Sequence, residues 1–92
     1  MIYATKIRMK PGCQYHDDLT EIDSIFLQGD GYYRFFKKAD VHDMVKRRPG
    51  SIKVNNYPYP DVIDAVSAYG EKYVRSCPNT TTNDNLLNLP RV

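Results

Sequence analysis

"LQGDGYYRFFKKADVHDMVKRRPG", residues 27–50, decides the fold. Gly29-Asp30-Gly31 is a strong turn signal, and the aromatic-rich "YYRFFK" follows it directly, so residues 20–36 read as a β-hairpin. From Ala39 the period changes. Val41, Met44 and Val45 fall at helical spacing, with Asp40 and Asp43 early and Lys46, Arg47 and Arg48 late, an order of charge that complements the helix dipole. The pattern predicts a helix over about 39–48, stopped by Pro49-Gly50.

Upstream, "IYATKIRM" (2–9) mixes β-branched, aromatic and polar residues before the Pro11-Gly12 breaker and suits a first strand. "LTEIDSIFL" (19–27) suits a second, although Leu19, Ile22 and Leu27 are also spaced for a short helix. Downstream, "SIKVNN" reads as a strand. Tyr57-Pro58-Tyr59-Pro60 reads as an extended, polyproline-like linker, because a residue before proline is pushed out of the α region. Residues 61–69 alternate imperfectly, and Pro60-Asp61 is also a fair helix start. The Gly70-Glu71 turn into "KYVRS" favours a second hairpin, with strands near 61–68 and 72–76. The expectation is an α+β fold: a small antiparallel sheet of about five strands, one helix packed across a face, and an irregular C-terminal tail.

At 92 residues there is room for one domain, 1–92, with a small core. Apolar (41%) and charged (26%) fractions are those of an ordinary globular protein. Apolar runs are too short to span a bilayer, and the chain does not open on a signal peptide, so no membrane association and a cytoplasmic location are expected. Net charge is only +2, but its distribution is uneven. Asp17, Asp18, Glu21, Asp23 and Asp30 precede a basic stretch of Arg34, Lys37, Lys38, Lys46, Arg47 and Arg48.

The tail, "YVRSCPNTTTNDNLLNLPRV" (73–92), has neither strand nor helix period after its first residues. Its leucines, Leu86, Leu87 and Leu89, predict a lid that returns to cover apolar surface. Here the chain resembles a family of small bacterial and phage proteins, domain of unknown function 3892. The resemblance is carried by Tyr73-Val74-Arg75-Ser76, Pro78 through Thr82, Asp84-Asn85-Leu86-Leu87 and Leu89-Pro90, with Ser76 where the family more often has Thr. The segment "NNYPYPD" is not matched to it. The resemblance implies a fold type and a provenance, not a reaction. Arg75 and Asp84 are placed to form an ion pair fixing the tail, with Ser76 and Asn85 satisfying loop backbone groups.

Catalytic motifs are missing: the chain has no Walker loop, dinucleotide fingerprint or Gly-x-Ser-x-Gly elbow. Cys13, His16, His42 and Cys77 are a conceivable zinc set, but only Cys13-x-x-His16 has usable spacing, so no metal and no cofactor are expected. Both cysteines read as free thiols, and Asp17-Asp18 as an acidic loop rather than an acid/base pair. Asn79-Thr80-Thr81 fits a glycosylation sequon but has no export signal beside it.

Tyrosine is the remaining signal. Eight of 92 residues are Tyr, interleaved with basic residues; aromatic faces stack on bases while Arg and Lys bind phosphates. The expected ligand set is Arg8, Tyr32, Arg34, Lys37, Tyr73 and Arg75. The expected function is non-enzymatic binding of a small phosphate-bearing, nucleotide-type ligand, with homo-oligomerisation to enclose it. The family's provenance adds one concrete form, a phage-encoded sponge for a host immune signalling nucleotide. The alternatives are a single-stranded nucleic-acid binder using residues 34–48 and a protein-interaction module in which exposed tyrosines, Tyr57 and Tyr59 first, and the basic segment form a patch for an acidic partner.

Overall fold

A computed structural model describes residues 1–79 and 83–92. The Gly29–Gly31 turn joins β2 (Ile22–Gly29) to β3 (Tyr32–Lys37). Asp30 and Gly31 both take positive φ, 51° and 89°, which gives a two-residue turn whose twist matches that of the strands it connects. Gly29 is required for a different reason: a Cβ there would come within 2.2 Å of the Met1 carbonyl oxygen. The expected second strand begins three residues late. Leu19–Glu21 form a single 3-10 turn, capped where the Asp18 carboxylate accepts from the Thr20 amide at 2.9 Å.

β1 (Ile2–Met9) lies antiparallel to β2, with register shifts between Ala4 and Lys6 and between Arg8 and Met9. β3 runs straight into α1 (Lys38–Arg47), which buries Val41, His42 and Val45. Gly50, at φ 79°, then redirects the chain into β4 (Ile52–Val54), which pairs with β1 in parallel. The sheet order is β3-β2-β1-β4. A wholly antiparallel sheet was expected. The parallel pair arises because α1 is a crossover helix that carries the chain back to the end from which β3 started.

The second hairpin is present as β5 (Val62–Val66) and β6 (Lys72–Ser76), but it forms its own two-stranded sheet, so six strands make two sheets. It packs on α1, which also touches the larger sheet. Residues 57–60 are not an extended linker. The Tyr59 amide donates to the Asn56 carbonyl at 2.8 Å, Tyr59 has φ 60°, and the Tyr57-Pro58 peptide is cis. Proline restricts its neighbours' dihedrals, but the closing hydrogen bond decides the path, folding the chain so that Val54 donates to the Pro60 carbonyl at 2.9 Å.

The tail is the expected lid. Leu86 and Leu89 are buried in the same core as Ile7, Ile25, Leu27, Ile52, Val62 and Val74. Beyond the turn at Asn85–Asn88 the chain lies along β1: Ile7 donates to the Pro90 carbonyl at 2.9 Å, and Val92 donates to Ile7 at 3.0 Å. Since β4 pairs only with Ile2–Ala4, residues 90–92 continue its row on the other half of β1. Among the described residues no helix is long and apolar enough to cross a membrane.

Candidate functional site

The six residues expected to hold a ligand fall into three pairs. Tyr32 and Arg34 share one side of β3 with Phe36. The Arg34 guanidinium lies 4.2 Å from the Phe36 ring centre, and Tyr32 meets Phe36 edge-on at 5.4 Å. Tyr32 also lines a groove of about 730 Å³ between the β2–β3 turn, the last turn of α1 and the start of β4. Its other polar lining is Arg47, Arg48, Asp30 and Ser51, over apolar surface from Ile2 and Met44. Asp30 is its one carboxylate among the described residues, and the Met1 amino group donates to it at 2.8 Å. The two guanidiniums join no ion pair among the described residues, so the groove is cationic. Sequence alone assigned Arg47 and Arg48 to a basic helix end; only the crossover puts that end beside a tyrosine fifteen positions earlier.

Arg8 and Lys37 occupy the opposite face of the large sheet, the face without the helix. Strand pairing sets Arg8 against Ser24, Ser24 against Lys37 and Phe26 against Phe35. Lys6 sits 4.4 Å from the Phe26 ring centre and Arg8 4.1 Å from that of Phe35, both in cation–π range. Phe26 packs edge-on against Tyr33 at 4.9 Å and Phe35 at 5.1 Å. Lys37 is bonded to both carboxylate oxygens of Asp23 at 3.1 Å. The Asp23 carboxyl is held below the usual range, first by the hydroxyl of Ser24 and then by Lys37.

Tyr73 and Arg75 lie on β6, away from both. Tyr73 borders a shallow depression lined by Asp17, Asp18 and Asp84, three carboxylates that oppose a phosphate. Arg75 is exposed and does not pair with Asp84, because the two Asp84 oxygens are taken by the backbone amides of Ser76 (3.0 Å) and Leu86 (2.9 Å). The tail is fixed instead by main-chain donors, for which a two-oxygen acceptor at the start of a turn is well suited. Asn85 does satisfy loop backbone as expected. Fully buried, it donates to the Tyr57 carbonyl at 3.1 Å and to the Asn56 side chain at 2.9 Å, and so ties the tail to the "NNYPYPD" loop. In that loop Tyr57 and Tyr59 are exposed and pack edge-on against each other at 6.0 Å.

The four-residue zinc set does not assemble. Nδ1 of His42 is buried and donates to the Tyr73 carbonyl at 3.0 Å, while Cys77 is exposed beyond β6. Cys13 and His16 do come together, and the Cys13 thiol donates to Glu21 at 3.2 Å. That bond is the chief reason the thiol is pushed up from its ordinary value. The sequon's Thr80 and Thr81, and Thr82 of the family pattern, lie outside the described residues.

No curated protein and no solved structure matches the chain. A family model does, over residues 3–90, so that the match takes in both sheets, the helix and the turn of the tail; the chain belongs to the family described as "Protein of unknown function (DUF3892)".

Proposed function

We propose that the chain is a non-enzymatic binding protein for a small phosphate-bearing ligand of the nucleotide type, acting in the cytoplasm, with the groove at the end of α1 as its site. One observation carries this reading: Tyr32, Arg47 and Arg48 line a single groove whose only carboxylate among the described residues is already paired. A volume of about 730 Å³ falls within the range of roughly 300–1,000 Å³ common for small-ligand sites. A base would stack on Tyr32 above Ile2 and Met44. The phosphate oxygens would accept from the planar guanidiniums of Arg47 and Arg48, each of which donates to two oxygens at a time. A guanidinium offers five donors and no acceptor, which suits these groups to holding an anion.

A second copy laid over the mouth would enclose the ligand, and a homo-oligomer is part of the proposal. Sequestration of a host immune signalling nucleotide by a phage-encoded copy is its concrete form. The test is native mass spectrometry of the whole chain with a panel of linear and cyclic nucleotides. Retention of a nucleotide by the parent protein, lost in R47A/R48A, is expected. Equal retention by the double variant, or none by either, rejects the groove.

The open sheet face favours a second reading, a single-stranded nucleic-acid binder. Three aromatic residues on adjacent strands carry two cations that make no ion pair among the described residues. Phe26 is buried beneath Lys6, but exposed Tyr33 and half-buried Phe35 offer ring surface for bases, with Lys6 and Arg8 beside them for phosphates. Oligothymidylate binding that weakens steeply with salt and is lost in K6A/R8A, with R47A/R48A unaffected, would select this face over the groove.

A further inference from the structure

We propose that Cys13, His16 and Glu21 form a binding site for a zinc-class divalent cation, with one coordination position left open. The Cys13 sulfur, a ring nitrogen of His16 and a carboxylate oxygen of Glu21 all lie within 4.8 Å of one another. Around a tetrahedral zinc, with bonds of about 2.3 Å to sulfur and about 2.0–2.1 Å to nitrogen or oxygen, such ligands stand about 3.3–3.6 Å apart. The Cys13–Glu21 edge, at 3.2 Å, needs to open by only a few tenths of an ångström to reach that spacing. His16 is exposed, so its side chain can turn the remaining distance without displacing core.

The backbone under the three ligands is held from several directions. The His16 amide donates to the Cys13 carbonyl at 3.0 Å, and the Cys13 amide to the Lys10 carbonyl at 2.9 Å, closing successive turns. Lys10 in turn donates to the Glu21 carbonyl at 2.8 Å, which fixes the third ligand against the other two. Arg91, from the tail, donates to the carbonyls of Gln14 (2.9 Å) and His16 (2.8 Å). A loop tied at both ends loses less freedom on binding an ion than a free one does.

The chemistry of the donors selects the metal. Sulfur and imidazole nitrogen disfavour magnesium and calcium and suit zinc, while a thiolate and a carboxylate together neutralise its two charges. The exchange balances: the proton that the Cys13 thiol donates to Glu21 leaves to solvent as the metal–sulfur bond forms. The cations beside the loop are already engaged: the Lys10 ammonium with Glu71 at 3.0 Å, and the Arg91 guanidinium with Asp17 at 3.2 Å and the loop carbonyls. With three protein ligands and an exposed histidine, the fourth position falls to water or an incoming ligand.

Cobalt(II), which takes zinc sites and absorbs light, tests this with the whole reduced chain. Titration is expected to give one equivalent bound, a near-ultraviolet thiolate-to-cobalt band, and one proton released per metal. C13S should abolish the band, H16A and E21Q should weaken binding by about tenfold or more, and C77S should leave it unchanged. A missing band, a band that survives C13S, or affinities indifferent to both H16A and E21Q would overturn the site. Because His16 is exposed, H16A keeps the test decisive even if C13S fails to fold.

Discussion

The four-stranded sheet and the β5–β6 hairpin pack on the same helix but are held differently. Ile7, Ile25, Leu27, Ile52 and Val54 of the larger sheet are fully buried, a nondirectional attachment whose strength scales with apolar area. The hairpin gives Val62 and Val74 to that core and is otherwise fixed by directed polar contacts. Glu71 receives Lys38 at 2.8 Å and Lys10 at 3.0 Å, Lys72 reaches Asp43 at 2.9 Å, and His42 donates to Tyr73. The difference separates two properties: burial supplies most of the stability, while the polar contacts set where the second sheet sits.

Removing burial is the strongest way to test that division. Leu27→Ala should cost about 2–5 kcal/mol in urea unfolding, because the sheet around it cannot collapse onto the cavity. A smaller cost than that of any polar variant would break the comparison. Next in size is Asn85→Ala, expected at about 1–3 kcal/mol, since a fully buried amide that donates to the Tyr57 carbonyl and the Asn56 side chain is lost. Hydrogen exchange should then show the tail and the 56–60 loop opening together, with β1 and β2 still protected.

Glu71→Gln should cost about 1 kcal/mol or less, as the carboxylate is 39% exposed and screened by solvent. Its pH dependence sharpens the comparison. Lys38 first, and then Lys10, hold the Glu71 carboxyl below its ordinary value of 4.5. A depressed folded value stabilises above the unfolded one and is lost as pH falls through the folded value. The gap between parent and E71Q should therefore be constant at neutral pH and close below about pH 4.5. A gap that persists at pH 2 would mean the glutamate acts by packing rather than charge. The smallest stability effect, within about 0.5 kcal/mol, is expected for R47A/R48A, whose guanidiniums make no ion pair among the described residues. Loss of nucleotide retention without loss of stability would separate binding from both kinds of attachment.

Local chemistry made much of this legible. The Gly29–Gly31 turn, the charge order along α1, the second hairpin and the returning leucines are each specified by neighbours within a few positions. What depends on distant segments was not legible. The parallel pairing of β4 needs the direction of the crossover, and the meeting of Arg8 with Phe35 needs a strand register, shifted between Ala4 and Lys6, that no periodicity records. The same holds for the candidate sites. Tyr32 was visible as an aromatic beside a turn, but its meeting with Arg47 and Arg48 required the helix to fold back. Cys13 and His16 stood out by spacing, whereas Glu21 joined them only through the pairing of Lys10 with the residue's own backbone.

The seat of residues 90–92 along β1 bears on synthesis as well as on the finished fold. A ribosome delivers Ile7 long before Pro90 and Val92, the residues that satisfy its backbone. During that interval half of the first strand offers unpaired amide and carbonyl groups to any neighbouring nascent chain, which is the circumstance in which strands join the wrong partner. Production at low temperature or with a trigger-type chaperone should therefore raise soluble yield more for a chain truncated before Pro90 than for the parent.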